Sequence, residues 1–541
     1  MIRRALLAAG AGGLLVVAAI LVYIFRLELV APEKPRAGGQ YTEGVVGQLG
    51  SFNPLFAQGQ PNALDLDALL FEPLVRLQST GQADRVLAGS WDISPDQRSY
   101  TFALRPDARW SDGAPVTADD VLFTVRTVQD PDYPGVFLGT SWKDIVATAI
   151  DPQHVRFTLP GKNASFLATL AQLDILPAHA LTGLPVSQIA SSPFGTHPVG
   201  TGPFRVRDRL PDGVVLERNP FSRLRPWLDR IAVRTFPDEA SALTALDRHE
   251  IDALANLSAA GVARARGLGQ MAIYQAATYR YLELLFNLNA DVPYFKDAQV
   301  RRAFAMAINR QAIIDTLAGG QARLADGPIP SAITWATDPT IKGPGYDPLA
   351  AAQLLDQAGW KVQDGVRTKA GAAMQVTLVV ARDVAPFEQV GRQVASDLGV
   401  VGIGVDVRAV SADDLIRVYL NPRTFQLALT AFDNGPDPDV YAFWHSSEAR
   451  PGGFNFAGGK RNVFIDLDLE KGRADTDPAV RALDYKDLQQ VFAQEVPAVY
   501  LYSPNFSFAV SRRIRGVRLD AAVEPSDRYT HVSDWYVEVG R

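Results

Sequence analysis

The 541-residue chain contains no cysteine, and this absence excludes several kinds of chemistry. Without a thiol there is no disulfide, no thiol nucleophile, no thiolate metal site and no lipid attached through a leading cysteine. Histidine is also scarce: the six residues are widely scattered, and none forms a ligand pair at helical spacing. With a net charge of only −6, the chain offers no large basic surface for nucleic acid. The sequence therefore predicts no metal, no cofactor and no nucleic-acid partner.

Familiar catalytic motifs are missing as well. The chain has no GxSxG nucleophile elbow, no HExxH helix and no Walker phosphate loop. A calcium loop counted from Asp433 fails, because Pro438 and Trp444 occupy the positions that require glycine and glutamate. What remains is the composition of a globular protein, 47% hydrophobic and 21% charged, with a length typical of about three domains. We therefore expect clefts between domains.

The N-terminal segment contains the one long apolar run. Arg3 and Arg4 precede an uncharged stretch, residues 5–25, which as a helix is long enough to cross a hydrocarbon layer of about 30 Å. Basic residues stay on the inner side, so the body of the protein is predicted to lie outside the cytoplasm. The alternative is a cleavable signal, although Pro32 follows its best cleavage site. Residues 1–39 are thus predicted to be a membrane anchor or signal peptide plus a linker.

The rest of the chain alternates predicted strands and helices. Residues 99–105 have the alternating apolar pattern of a half-buried strand. Asp347 is predicted to cap a helix whose first position is Pro348. Asp297 is predicted to open another helix, a single one that continues until Gly319 stops it.

One region predicts a parallel sheet. Residues 374–381 and 402–410 read as strands, with a helix at 387–398 between them, and strand–helix–strand is a βαβ unit. A further helix at 411–420 and a strand at 424–432 follow. The pattern predicts a doubly wound α/β fold.

Two charged residues lie where such sheets bind ligands. Asp433 directly follows one predicted strand and Arg382 follows another, and ligands collect at the carboxyl ends of strands in open α/β sheets. Opposite charges at two strand ends would suit a ligand that carries both signs. The alternative is that both side chains are simply solvated, as charged residues at strand ends usually are.

The stretch AFDNGPDPDVYAFW, residues 431–444, gathers two further aspartates beside Asp433. Asp437 and Asp439 could form a carboxylate pair for glycoside hydrolysis. Pro438 between them favours extended backbone, which fixes no difference between an acid and a base. Aspartates in a proline-rich turn are more often turn formers, and both interpretations stay open.

Seven segments, taken in order along the chain, carry a family resemblance. They are LAGSWDISPDQRSYTFALRPDARWSDGAPVTADDVLFT (87–124), PVGTGPFRV (198–206), LERNPF (216–221), EIDAL (250–254), VRRAFAMAINRQAII (300–314), YDPLAAAQLLDQAGW (346–360) and EVPAVYLY (495–502). Together they resemble the family 5 extracellular solute-binding proteins of ABC importers, which include dipeptide-, oligopeptide- and nickel-binding receptors. The likeness covers nearly everything from about residue 38 to the C-terminus.

The resemblance implies an α/β fold of the type II periplasmic-binding class, with two lobes, an extra family-specific domain and the N-terminal hydrophobic helix in front. The expected boundaries are 40–65, 190–285 and 501–541 for a discontinuous lobe I, 66–189 for the extra domain II and 286–500 for lobe II. The chain is expected to cross between the lobes near 282–287 and 498–503. Ligand would be trapped between lobes that close like a hinge.

The resemblance also implies site residues. Asp433 matches an aspartate that pairs with a peptide's amino group, and Arg382 is the candidate partner of the ligand carboxylate. Asn53, Asn434 and Trp444 are further candidate ligand-binding residues. For Asn53 the alternative is a turn-forming Asn-Pro pair, and for Trp444 it is ordinary core packing.

The expected function is therefore that of a non-enzymatic, monomeric receptor in the periplasm or at the cell surface. It would capture a small solute, with a short peptide as the first expectation, and deliver it to ABC permease subunits. The alternatives are a ligand sensor of the same fold without transport, and a hydrolase that uses Asp437 or Asp439.

Overall fold

The structure of the protein is a computed structural model, and it describes residues 35–57, 60–289, 293–433, 435–458, 462–520 and 524–538. The predicted apolar N-terminal helix and Asn434 lie outside these residues. Within the described ranges, no helix combines the length and apolar character needed to span a bilayer.

Strands and helices alternate along most of the chain. The strands are β1 (Gln40–Val46), β2 (Val75–Leu77), β3 (Ala83–Arg85), β4 (Ala88–Ile93), β5 (Ser99–Leu104), β6 (Val146–Asp151), β7 (His154–Thr158), β8 (Phe204–Leu210), β9 (Gly213–Arg218), β10 (Arg230–Phe236), β11 (Ala253–Ala255), β12 (Met271–Ala277), β13 (Arg280–Phe286), β14 (Ala322–Leu324), β15 (Lys361–Gln363), β16 (Val366–Lys369), β17 (Ala372–Ala373), β18 (Gln375–Ala381), β19 (Gly404–Val410), β20 (Leu427–Asp433), β21 (Ala498–Ser511), β22 (Ile514–Arg515) and β23 (Tyr536–Val537). The α-helices are α1 (Pro61–Leu70), α2 (Ala118–Gln129), α3 (Val136–Trp142), α4 (Phe166–Ala171), α5 (Ala178–Leu181), α6 (Val186–Ile189), α7 (Glu239–Asp247), α8 (Ala259–Gly267), α9 (Ala298–Ala307), α10 (Arg310–Leu317), α11 (Pro348–Gln357), α12 (Phe387–Val400), α13 (Ala412–Asp414), α14 (Tyr441–Trp444), α15 (Val463–Ala474) and α16 (Pro478–Glu495). Short 3₁₀ turns occupy Pro193–Gly195, Pro293–Lys296, Ser446–Ala449, Pro525–Tyr529 and Val532–Asp534, and a π-helical turn occupies Leu415–Leu420.

A twelve-stranded mixed sheet runs through the protein in the order β19-β18-β20-β13-β21-β11-β1-β10-β9-β8, with β12 and β14 also paired to β21. Strand β18 is parallel to both β19 and β20, whereas β13 is antiparallel to β20 and β21. The long strand β21 pairs with β13 through its first half and with β12 through its second half. Strand β21 therefore links the two halves of the sheet.

Two large hydrophobic cores divide the molecule into two lobes. Lobe I surrounds the core whose buried residues lie between Tyr41 and Ala276 and between Phe506 and Trp535. Lobe II surrounds the core between Ala277 and Tyr502. The chain passes from one core to the other between β12 and β13 and again within β21. The region 66–189 shares the core of lobe I, and a smaller core beneath α7 and α8 adds to the same lobe.

Several local predictions agree with the elements observed. The strand predicted at 99–105 is β5, and the βαβ unit is present as β18, α12 and β19 with β18 and β19 in parallel register. The side chain of Asp347 caps α11 by accepting a hydrogen bond from the Ala350 N–H. These signals are local, so the sequence alone is enough to predict them.

The single helix predicted from Asp297 to Gly319 is wrong, because the structure has two helices, α9 and α10. Asp297 caps the first, and α9 ends at Ala307. The Asn309 side chain then accepts a hydrogen bond from the Ala312 N–H at 3.0 Å and starts α10. An asparagine that caps a new helix competes with continuation of the old one. The apolar spacing runs through the break and conceals it.

Candidate functional site

A cavity of about 380 Å³ lies between the two lobes, and we call it the cleft cavity. Lobe II contributes the loop that follows β20. Lobe I contributes parts of α1, β2 and α4 and the C-terminal segment around the 3₁₀ turn Pro525–Tyr529. The charged side chains of its described wall are Arg76, Asp174, Asp433, Glu524 and Asp527. The described wall thus contains four carboxyl groups and one arginine.

Asp433 is the last residue of β20, and its side chain is 33% exposed. One carboxylate oxygen accepts a hydrogen bond from the Gly435 N–H at 3.3 Å. The other lies 3.8 Å from Nε of Arg280, which sits directly opposite on β13 but has a side chain 57% exposed. A pair so open to water is weak, which leaves Asp433 available to a ligand.

Glu524 brings a second carboxyl group to Asp433 from the other lobe. Burial, together with the charge of Asp433, raises the pKa of Glu524 well above its ordinary value. Asp433 lies close enough to interact with the Glu524 carboxyl group, which favours the protonated form of Glu524 further. Like charges at close range disfavour ionisation of both carboxyl groups at once. A bound cation would favour the ionised form of both.

Asp174 forms the opposite part of the acidic wall. An isolated backbone bridge to Pro73 places it beside β2, which carries Arg76. Burial raises the pKa of Asp174 to about 7, against the opposing charge of Arg76. Behind it lies Asp67, which is 1% exposed, and burial and the charge of Asp174 raise the pKa of Asp67 as well. This end of the cavity concentrates carboxyl groups in a poorly solvated place.

A buried arginine holds the C-terminal segment in the wall. Arg528 is fully buried and binds Glu43 of β1 at 2.9 Å and Asp65 of α1 at 2.8 Å. It also donates to the carbonyl of Pro525 at 2.6 Å. Because β1 and α1 are fixed in the core of lobe I, this network fixes the position of Glu524 just before the turn.

The other two aspartates of the 431–444 stretch are bound by arginines. Asp437 is buried and forms a two-pronged pair with Arg481, at 2.8 and 2.9 Å. Asp439 accepts from Nε of Arg473 at 2.7 Å. Each aspartate also accepts a backbone N–H two residues further on. These are the contacts of structural turn formers, and each carboxylate is committed to a cation of the protein.

The structure separates the remaining predicted site residues. Arg382 lies just beyond β18, at the same sheet edge as Asp433, but it is exposed and stands outside the described wall of the cleft cavity.

Trp444 is buried against Phe492, with ring centroids 5.0 Å apart, and borders a second cavity of about 610 Å³ within lobe II. Asn53 is fully buried, and its side-chain oxygen accepts from the Leu55 N–H at 3.3 Å. Asn434 lies outside the described residues.

Sequence reasoning missed the acidic partners of Asp433. Glu524 and Asp527 are about ninety residues away from it in the chain, and Asp174 is far away on the other side. Pro525 after Glu524 is a helix-start signal, and it does predict a turn there. Nothing in that signal shows that the turn faces β20, because the contact depends on how the lobes pack.

Comparison with known proteins fits this architecture. Residues 84–453 match the family of bacterial extracellular solute-binding proteins, family 5. The chain belongs to this family. A Brucella ovis protein, named provisionally as a peptide-binding protein of an ABC transporter, is 30% identical over 516 residues, which cover 92% of this chain and 93% of that protein.

The oligopeptide-binding protein AppA of Bacillus subtilis is also similar, with 25% identity over 515 residues that cover 93% of this chain and 92% of AppA. The solved structure of AppA in complex with a nonapeptide matches with a TM-score of 0.76 and 25% identity, covering 93% of this chain and 100% of that one. The family resemblance, the α/β fold class and the solute-binding function predicted from the sequence are confirmed. The family consists of substrate-binding proteins, and its members act outside the cytoplasm.

Proposed function

We propose that this protein captures a short peptide in the cleft cavity and delivers it to the permease of an ABC importer. The observation that carries the proposal is the acidic pair of Asp433 and Glu524, which joins the two lobes across a cavity large enough for a small solute. The names of the Brucella protein and of AppA support a peptide as the solute. We also propose that the protein works as a monomer, held at the membrane by residues 1–39 or released after their cleavage.

Capture requires no covalent chemistry. The amino group of the peptide pairs with Asp433 and Glu524 and favours the ionised form of Glu524, so that its charge is matched as it leaves water. Main-chain hydrogen bonds of the kind made in strand addition would hold the peptide backbone without regard to its side chains. Ligand favours the closed arrangement of the lobes to the extent that it binds that arrangement more tightly. The roles of Arg382, Asn53, Asn434 and Trp444 in binding stay predictions.

The test must remove both carboxylates, because each can replace the other. In Asp433→Asn alone, Glu524 loses the neighbouring charge that keeps it protonated and can itself ionise beside the amine. We expect Asp433→Asn combined with Glu524→Gln to weaken peptide binding by at least about a hundredfold, and each single change by only about tenfold, since loss of a charged partner leaves the amine unmatched.

Native mass spectrometry of the protein without residues 1–39 would first show which peptides it retains, and calorimetry would then measure their affinity. The matched control is Asp413→Asn, which removes an exposed carboxylate of lobe II that pairs with Arg417 on the surface. Unchanged affinity in the double variant would reject this site for the amine. Retention of solutes other than peptides, with no binding of two- to five-residue peptides, would reject the peptide proposal itself.

A further inference from the structure

The negative charge of the cleft cavity is divided between two places. The first, which we call the Asp433 pole, consists of Asp433 and Glu524. The second, the Asp174 pole, consists of Asp67, Arg76, Asp174 and Asp527. Asp433 belongs to lobe II, and the other residues of the two poles belong to lobe I. Within the described residues, no three acidic or histidine side chains converge closely enough to hold a metal ion.

The Asp433 pole gains negative charge as its carboxyl groups ionise, and repulsion between the two carboxyl groups disfavours ionisation of both at once. Arg280 opposes this charge only weakly, because it is 3.8 Å away and more than half exposed to water. One amino group is therefore enough to neutralise this pole.

The Asp174 pole has more carboxyl groups than basic groups. Arg76 is the one basic residue of the described wall, and both Asp174 and Asp527 interact with its charge. Glu72, which also approaches this arginine, is already bound by Arg223 at 2.7 Å. One arginine thus serves two wall aspartates, and a bound cation would favour the ionised form of both.

Asp67 is a buried carboxyl group beside this pole, and it lacks a partner among the described residues. Both of its carboxylate oxygens are buried, and neither has a hydrogen-bond partner among the described residues. Asp67 follows the wall residue Leu64 by three positions on α1, so helical spacing sets the two side chains near each other on the helix surface. A buried carboxyl group without a donor is costly. A positive group in the adjoining cavity would reduce that cost.

Building on the proposed peptide-binding function, we propose that the preferred solute carries two positive groups, one for each pole. A short peptide with lysine or arginine among its first residues has this chemistry. Its amino terminus occupies the Asp433 pole, and its basic side chain occupies the Asp174 pole. A peptide without a basic side chain offers only its amino terminus, which binds the Asp433 pole. An acidic side chain would lie beside the carboxyl groups of the Asp174 pole and be repelled.

The test compares peptides that differ only in charge. Lys-Ala-Ala and Ala-Lys-Ala are titrated beside the same peptides with norleucine in place of lysine, so that the aliphatic stem is kept. At pH 8 we expect the better lysine peptide to bind at least about tenfold more tightly than its norleucine counterpart, as a charge-assisted contact predicts. Equal affinities for both pairs would overturn the proposal.

Variants then assign the preference to the Asp174 pole. Asp174→Asn should reduce the lysine preference to within about threefold while leaving norleucine peptides bound, because only the second charge is lost. Asp67→Asn, measured in parallel, should reduce the same preference. Asp107→Asn is the matched control, since Asp107 is an exposed surface residue paired with Arg105 in the same region of the chain. A preference that survives in Asp174→Asn and Asp67→Asn would contradict the assignment.

A second pair of probes separates this proposal from the peptide proposal. If none of the tripeptides binds, the peptide proposal fails, and 1,5-diaminopentane is compared with pentylamine. Tighter binding of the diamine, lost in Asp174→Asn, would still support two cationic groups. No difference between the two amines, or tighter binding of Mg²⁺ or Ca²⁺ than of the diamine, would overturn the proposal.

Discussion

At the scale of single residues, the contact between Asp433 and Glu524 gives binding a direct link to pH. Burial and the charge of Asp433 raise the pKa of Glu524 well above its ordinary value, which favours the protonated form of Glu524 in the unliganded protein. An amino group bound beside it favours the ionised form and lowers that pKa again. Binding of a cationic ligand therefore releases a proton.

The release of this proton can be measured by calorimetry in buffers of different ionisation enthalpy. We expect a net release approaching one proton for each norleucine tripeptide bound at pH 7, because this peptide reaches only the Asp433 pole, and an affinity that increases as the pH rises. Glu524→Gln should abolish the release, because glutamine holds no exchangeable charge, while Asp413→Asn should leave it intact. Proton uptake on binding would show that the sign of this linkage is wrong.

At the scale of elements, the C-terminal segment owes its position to Arg528. The segment has only short 3₁₀ turns and the two-residue strand β23, so its own hydrogen bonds hold it poorly. Arg528 is buried between Glu43 of β1 and Asp65 of α1 and joins the segment to two firm elements. The acidic wall of the cavity is built on this contact.

Arg528→Met should therefore destabilise the protein by about 3 to 5 kcal/mol, because two buried carboxylates lose their partner. Thermal or urea unfolding measures the loss. Arg515→Met, which breaks an exposed pair with Glu538, should cost no more than about 1 kcal/mol. Adding Glu43→Gln and Asp65→Asn to Arg528→Met should recover part of the stability. Equal losses in Arg528→Met and Arg515→Met would count against the buried network.

At the scale of the whole molecule, the lobes also contact each other away from β12, β13 and β21, the strands through which the chain passes between them. The hydroxyl of Ser165, in lobe I, donates to Asp437 of lobe II at 3.0 Å and accepts from Arg481 at 2.9 Å. Beside it, the Ala164 N–H donates to the carbonyl of Arg473 at 2.9 Å. The pair of Asp437 and Arg481 lies within lobe II, so it can persist when the lobes separate, whereas the serine contact cannot.

Ser165→Ala should therefore weaken the closed arrangement without unfolding the protein. Hydrogen bonds to charged groups contribute about 1.5 to 3 kcal/mol, and we expect the ligand to dissociate about tenfold faster. Stopped-flow displacement of a bound lysine tripeptide measures this rate. Ser191→Ala, which removes an exposed hydroxyl bonded only to a neighbouring carbonyl, is the control. An unchanged dissociation rate in Ser165→Ala would show that this contact does not hold the lobes together.

Local signals account for what could be predicted from the sequence. Caps such as Asp347, the alternation in β5 and the βαβ spacing around α12 each depend on residues close together in the chain. The same kind of signal failed at Asn309, where a capping side chain interrupted an apolar pattern that continued through it. Asp433 could be proposed as a site residue because it lies at the carboxyl end of a predicted strand, where ligands collect in open α/β sheets.

The sequence by itself determined the α/β class, the order of most elements and the absence of thiol chemistry, because propensity, periodicity and composition act over short distances. Only the tertiary structure decided what Asp433 faces. Glu524, Asp174 and Asp67 reach the cleft through the packing of two lobes and through one buried arginine, and their altered pKa values arise from that burial. Burial and long-range charge contacts exist only after the chain has folded, so no local pattern could have revealed them.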